Sequence, residues 1–143
     1  MNLKNIEFLV GKTLPNNKSI KPFDNSVCEF LDCFSKDLFK ISKKLNRPDI
    51  MSLAFWCRKN NLLKLKEKYN KEKISKGLGL IFHITPSNIP TNFAYSLIFG
   101  IVTGNNSIIK VPSKNFEEIK IICERINSIL KLKKFKKIKN KIT

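Results

Sequence analysis

The sequence predicts an α/β chain: a mainly helical region over residues 1–76, then the first strand–helix–strand–helix part of a parallel sheet over 77–143. Three observations lead there. Apolar residues recur every three or four positions between residues 25 and 44. Two short, nearly continuous apolar runs follow Gly79 and precede Pro112. A second helical periodicity comes after the later run.

Residues 1–23 show weak periodicity, with Pro15, Asn16, Asn17 and Pro22 marking turns. A helix is expected from about Asn25 to Lys44, where Val27, Phe30, Leu31, Phe34, Leu38 and Ile41 fall on one stripe. Pro48 and Asp49 suit the start of a second helix, and Ile50, Leu53, Ala54, Trp56 and Cys57 give it an apolar surface. A short helix is expected from Leu62 to about Tyr69, ending in the Lys-rich segment 71–76. Gly79–Ile84 then reads as a buried strand. The two prolines of Thr85-Pro86-Ser87-Asn88-Ile89-Pro90 cannot continue it, because proline lacks a ladder donor. Pro90 is placed to open a helix with Phe93, Ala94, Tyr95, Leu97, Ile98 and Ile101, and Gly104 to stop it. Ser107–Val111 is the second strand. Asn115 and Glu118 have capping-box spacing before a helix that buries Phe116, Ile119, Ile122, Cys123, Ile126, Ile129 and Leu130. Lys131–Lys141 reads as a basic extension, ending where a third strand is due. Strand, helix, strand in this order implies a right-handed crossover between parallel strands. Two strands are a small piece of such a sheet, so open edges and half-covered faces are expected, and the chain reads as truncated.

At 143 residues the chain suffices for one domain, and 42% apolar residues supply its core. The net charge of +17 comes almost wholly from Lys, since Arg occurs only at Arg47, Arg58 and Arg125. Two readings stay open. One is a compositional bias toward Lys, Asn and Ile; the other is a basic surface for an acidic partner, with a nonenzymatic nucleic-acid-binding protein as its extreme form. No recognition motif for nucleic acid occurs and aromatic interleaving in the basic tail is thin, so no specific nucleic acid is expected. No run of 18 apolar residues marks a membrane span, and no cleavage site follows the N-terminal apolar run. The four cysteines lack zinc spacing; buried thiols in a reducing cytoplasm are the expectation, with no metal.

Chemistry is expected in the loop from Thr85 to Pro90, just past the carboxyl end of a strand and at the head of a helix. Helix N-terminal amides there favour negative charge, and the Asn88 amide can donate to an oxygen that develops charge. The alternative is an asparagine that closes a turn on its own backbone. His83, the single histidine, is placed in the first strand by its neighbours Phe82 and Ile84 and is read as packed, or as supporting a site from behind, rather than catalytic. No Gly-x-Gly-x-x-Gly follows either strand.

The run Gly79-Leu80-Ile81-Phe82-His83-Ile84-Thr85-Pro86-Ser87-Asn88-Ile89-Pro90-Thr91-Asn92-Phe93 resembles a signature segment of the acyl-CoA reductases, the group that includes the fatty-acid reductase of bacterial bioluminescence. Gly104-Asn105-Asn106-Ser107-Ile108-Ile109-Lys110-Val111-Pro112-Ser113 is similar to the next block. Both resemble, more loosely, the aldehyde dehydrogenase superfamily. The resemblance implies a partial aldehyde-dehydrogenase-like dinucleotide-binding domain and a parent reaction in which NADPH or NADH reduces an acyl-CoA or acyl thioester to an aldehyde. By position it makes Asn88 the oxyanion donor and Lys110 the contact to the adenosine ribose. Thr85, Pro86 and Ser87 then shape the floor beneath the nicotinamide, Ser87 replacing the tryptophan of ordinary aldehyde dehydrogenases. Ser113 stands where many NAD-preferring relatives carry Glu, and with Lys114 beside it this favours NADP. The family's catalytic cysteine lies far downstream of the asparagine, so none of the four cysteines here fills that role. The chain is therefore expected to be inactive alone, or to be a complementation subunit for a remainder encoded downstream.

Overall fold

The computed structural model describes residues 6–11, 18–69 and 76–143; the turn signals at Pro15, Asn16 and Asn17 and most of segment 71–76 lie outside them. Helix α1 spans Asn25–Leu45. Asp24 caps it, accepting a hydrogen bond from the Ser26 N–H at 2.9 Å, and Asn46 ends it in the left-handed region at φ 50°. The expected stripe is the buried one, with Val27, Phe30, Leu31, Phe34 and Leu38 all enclosed and Ile41 packed at its margin. It packs mainly on α2, Pro48–Trp56, which buries Ile50, Leu53 and Ala54. At their crossing the Ser35 hydroxyl donates to the Ala54 carbonyl at 2.6 Å, so a buried polar group is satisfied. Helix α3, Lys59–Tyr69, starts three residues before the expected Leu62 and buries that leucine.

Two parallel strands follow: β1, Leu80–Ile84, and β2, Asn106–Lys110, with Leu80 opposite Asn106 and Ile84 opposite Lys110. The helix between them, α4, spans Asn92–Val102 and begins after Pro90 rather than at it. The reason is local: the Asn92 N–H bonds the Ile89 carbonyl at 3.2 Å, so a turn runs through Pro90 and Thr91 before the helix ladder starts. Gly100 in α4 lies directly over Ser107 and His83, which brings helix and sheet close. The expectation of a strand buried on both faces is corrected. Leu80, Phe82 and Ile84 are 39%, 58% and 73% exposed, because α4 covers only the face that carries Ile81 and His83. Among the described residues β1 pairs on one side alone.

Helix α5 spans Glu117–Leu130 and buries six of the seven residues expected of it; the seventh, Phe116, lies at the cap and is half-buried. The capping box is not formed. Phe116 sits at the cap without a side-chain bond, and Glu118 turns instead to Arg47. Arg47 gathers Glu118 together with Asp49 at 3.1 Å and Glu117 at 3.4 Å, clamping the start of α2 to the start of α5. Burial raises the Asp49 carboxyl, but the bond and charge of the Arg47 guanidinium together with backbone N–H donors outweigh it and leave the carboxyl below the usual carboxylate range.

The Lys-rich end is not a solvated extension. A short 3-10 turn, Lys133–Phe135, and α6, Lys136–Lys139, bury Phe135 and Ile138 almost completely. The Phe135 ring meets Phe30 edge-on with centroids 5.6 Å apart. That anchor turns the chain back, and residues 141–143 run parallel to β2. The Ser107 N–H bonds the Lys141 carbonyl at 2.8 Å, and Thr143 N–H bonds Ser107 O at 3.0 Å. Among the described residues the sheet keeps two strands, and this single parallel bridge lies along the side of β2 away from β1. Lys141 is buried, its ammonium donating to Asn106 Oδ1 at 2.9 Å and the Lys18 carbonyl at 3.1 Å; burial lowers its pKa.

Candidate functional site

The loop leaving β1 is tied to the end of β2. Both the N–H and the hydroxyl of Thr85 donate to the Lys110 carbonyl, at 3.3 and 2.9 Å. Pro86, Ser87 and Asn88 beyond it are exposed. Asn88 makes no side-chain hydrogen bond to the described residues, so the self-closing turn is not what holds this loop. Its amide is available to an outside acceptor.

Past the carboxyl end of β2, Ser113, Lys114, Asn115 and Lys120 line an open cleft of about 730 Å³, with Phe8 and Val111 among its walls. A hydroxyl, an amide and two ammonium groups can hold a phosphorylated sugar, opposed by the Glu7 and Glu124 carboxylates that also line the cleft. The Lys114 ammonium rests 5.0 Å from the Phe116 ring centroid, which holds it at this end. Glu117 and Glu118 in the first turn of α5 oppose an anion there, but Arg47 engages both.

A second cavity, of about 710 Å³, adjoins the first and shares Phe8, Val111 and Cys123 with it. Phe93 and Leu97 of α4, Ile109 of β2 and Ile126 of α5 line it, and Glu7 and Lys110 are its charged lining residues. An enclosed empty void of that size would cost on the order of 17 kcal/mol at about 24 cal/mol per Å³, more than the whole stability of a typical domain. It is accordingly not a packing defect; it opens to solvent beside the segment Ile6–Val10.

The structure therefore brings Lys110 to the apolar cavity and Ser113 to the polar cleft, and ties Thr85 to Lys110. Thr85, Pro86, Ser87 and Asn88 line neither cavity. Lys120 and Asn115 join Ser113 in the cleft without any sequence signal, since only the start of α5 places them there. Phe8 was equally hidden, because its approach to β2 is set by long-range packing.

None of the three most buried thiols has nucleophile character. Burial pushes Cys57 and Cys123 up to about 12 and raises Cys28, whereas a reactive cysteine needs a lowered pKa. Cys33 is half-buried, 3.7 Å from the Lys134 ammonium. Among the described residues no three His, Cys, Asp or Glu side chains converge as a metal site. No helix among them is long and apolar enough to cross a membrane.

His83 is packed rather than presented. Among the described residues its Nε2 and the Ser107 hydroxyl, both buried beneath Gly100, have no hydrogen-bond partner. Burial lowers the imidazole pKa from its ordinary 6.5. The unfolded chain therefore binds this proton more readily than the folded one. The stability tied to His83 is complete above pH 6.5 and is lost as pH falls toward the lowered folded value. Urea midpoints measured from pH 7.5 down to 5.5 should fall, and His83→Gln should flatten that slope. An unchanged slope in the variant would mean that another group titrates.

No curated protein and no solved structure matches the chain. The family model described as acyl-CoA reductase (LuxC) matches residues 31–142, which include most of α1, both strands and the loop that carries Asn88. With most of its length matched in this way, the chain belongs to the acyl-CoA reductase (LuxC) family, within the aldehyde dehydrogenase superfamily.

Proposed function

We propose that this chain supplies the helical region and the first part of the dinucleotide-binding domain for the NADPH- or NADH-dependent reduction of an acyl-CoA or acyl thioester to an aldehyde. The observation that carries this is the family match across residues 31–142. The reduced dinucleotide supplies the hydride. The chain's own residues have three tasks. Asn88, exposed and without a side-chain partner among the described residues, donates to the acyl oxygen as it gains charge. Lys110 holds the adenosine ribose, its backbone fixed by the two Thr85 bonds. Ser113, with Lys114 and Lys120 in the same cleft, receives the 2′ end and tolerates a phosphate there. Thr85, Pro86 and Ser87 form the floor under the nicotinamide. No thiol of this chain serves as the acyl acceptor, consistent with the raised pKa of the buried ones.

The test is a fluorescence titration of the 143-residue chain with NADPH and NADH, beside an assay for acyl-CoA-dependent oxidation of either. Binding without turnover is expected. Ser113→Glu should weaken NADPH relative to NADH by roughly tenfold, since a carboxylate then faces the 2′-phosphate. An unchanged ratio would remove Ser113 from the cofactor site, and turnover by the chain would show that one of its own thiols acts.

A further inference from the structure

We propose that the C-terminal end of α2 carries a docking surface for an acidic protein partner, built from Arg58 and the aromatic side chains gathered around it. Phe55 and Phe99 are 53% and 52% exposed, so about half of each side chain faces solvent instead of the core. They do not stand singly. Trp56, the one tryptophan of the chain, packs against Phe99 with centroids 4.8 Å apart and meets Tyr95 nearly edge-on at 6.2 Å. The guanidinium carbon of Arg58 lies 4.4 Å from the Phe55 ring centroid and 4.5 Å from that of Phe39. Aromatic rings from α1, α2 and α4 thus gather around one arginine. Contiguous apolar surface of this kind marks an interaction site, whereas scattered exposed residues do not. Tryptophan, tyrosine and arginine are also the side chains most enriched at the energetic centres of protein interfaces.

Charge decides the occupant. Arg47 faces Asp49, Glu117 and Glu118, and Arg125 faces Asp37. Arg58 has no carboxylate partner among the described residues. Asp32, which accepts from the Lys59 N–H at 3.3 Å, is held by Lys36 at 2.7 Å. The two ring contacts orient the Arg58 guanidinium while its in-plane N–H groups stay available to a bidentate carboxylate. Lys40 and Lys43, exposed on the same helix as Phe39, add positive charge. A second copy of this chain, with its own +17, would meet repulsion here. Nucleic acid suits the surface less well. Trp56 is inclined 59° to Phe99 and 78° to Tyr95, so these rings make no parallel platform on which successive bases stack. The partner is therefore a protein segment that brings a carboxylate to Arg58 and apolar side chains to Phe55 and Phe99. None of these residues takes part in the proposed reduction.

The test is a selection of short random peptides, displayed on phage, against the full chain at physiological salt. Enrichment of sequences that set Asp or Glu beside Leu or Phe is expected. Selected peptides, synthesised without Trp, should shift the emission of Trp56 on binding. Arg58→Ala and Phe99→Ser should each weaken them by roughly tenfold, as truncation of a central interface residue does. Lys136→Ala removes the same charge next to Phe135, whose ring meets Phe30, roughly 13 Å along α1 from Phe39. That variant should change affinity by less than about twofold. Should Arg58→Ala or Phe99→Ser fail to fold, the Trp56 emission of the unsubstituted chain still decides. Peptides that bind without moving it overturn the proposal. So do an absence of enrichment, enriched sequences without acidic residues, or equal losses in Arg58→Ala and Lys136→Ala. Poly(U) that shifts Trp56 at the same salt, where the peptides do not, overturns it in favour of a nucleic-acid surface.

Discussion

Gly104→Ala should lower the melting temperature by about 10 °C, through roughly 3–5 kcal/mol of lost stability. Gly104 joins α4 to β2 at φ +87°, a region where a Cβ clashes with its own backbone at a cost of about 1–3 kcal/mol. The added Cβ would also stand 2.2 Å from the Ile20 carbonyl oxygen and 3.1 Å from its carbon. Those are backbone atoms, and the Ile20 N–H is bonded to the Gly104 carbonyl at 2.9 Å, so neither side can yield by changing rotamer. Overpacking of this kind adds about 1–3 kcal/mol. Gly100→Ala offers the contrast. Its Cβ would meet the Ser107 hydroxyl at 2.3 Å and His83 Nε2 at 3.0 Å, and both are ends of side chains. A smaller loss is expected there. Calorimetric melts of the two variants decide the matter: if Gly100→Ala proves the more damaging, the close approach of residue 20 to the α4–β2 turn is not a firm part of the fold.

Phe135→Ala is the second large effect, at about 3–5 kcal/mol, the usual cost of emptying a buried aromatic site. Phe135 is 1% exposed and its ring meets Phe30 from α1. It stands between exposed lysines, so neighbours differ sharply: Lys133→Ala and Lys136→Ala should change stability by no more than about 0.5 kcal/mol. The loss of Phe135 should reach further than its own contacts, because residues 141–143 reach β2 through the turn that it anchors. Hydrogen exchange gives a second readout. The Ser107 and Ile109 amides, which bond the Lys141 and Thr143 carbonyls, should lose protection in Phe135→Ala. Near-equal denaturation midpoints for Phe135→Ala and Lys133→Ala would return the basic segment to the status of a loose tail.

That segment shows where sequence reading stopped. Strong local periodicity was legible: the α1 stripe from Val27 to Leu38 and the α5 stripe from Ile119 to Leu130 are buried as their spacing requires. The parallel strand pair was legible too, from two apolar runs and the helix between. Phe135 and Ile138 were not, because three apolar residues among seven lysines carry too little pattern to outweigh the charge. The cap of α5 misled for a different reason. Glu118 has the right spacing to serve Asn115, but Arg47, seventy-one positions away in sequence, offers it a full positive charge instead. At the candidate site, local motifs led to Asn88, Lys110 and Ser113. The cleft and cavity themselves arise where residues 6–10 meet β2 and α5, a long-range encounter that no local motif encodes.

The open face of β1 makes ionic strength a determinant of how copies of this protein behave toward one another. Leu80, Phe82 and Ile84 offer an adhesive strip, and the charge of +17 on every copy is what keeps two such strips apart. That repulsion reaches about 30 Å in dilute buffer and about 3 Å in molar salt. Apolar adhesion is not screened in the same way. Concentrated salt therefore removes the barrier while leaving the attraction intact, and lysines that contribute little to folding become the guardians of dispersion.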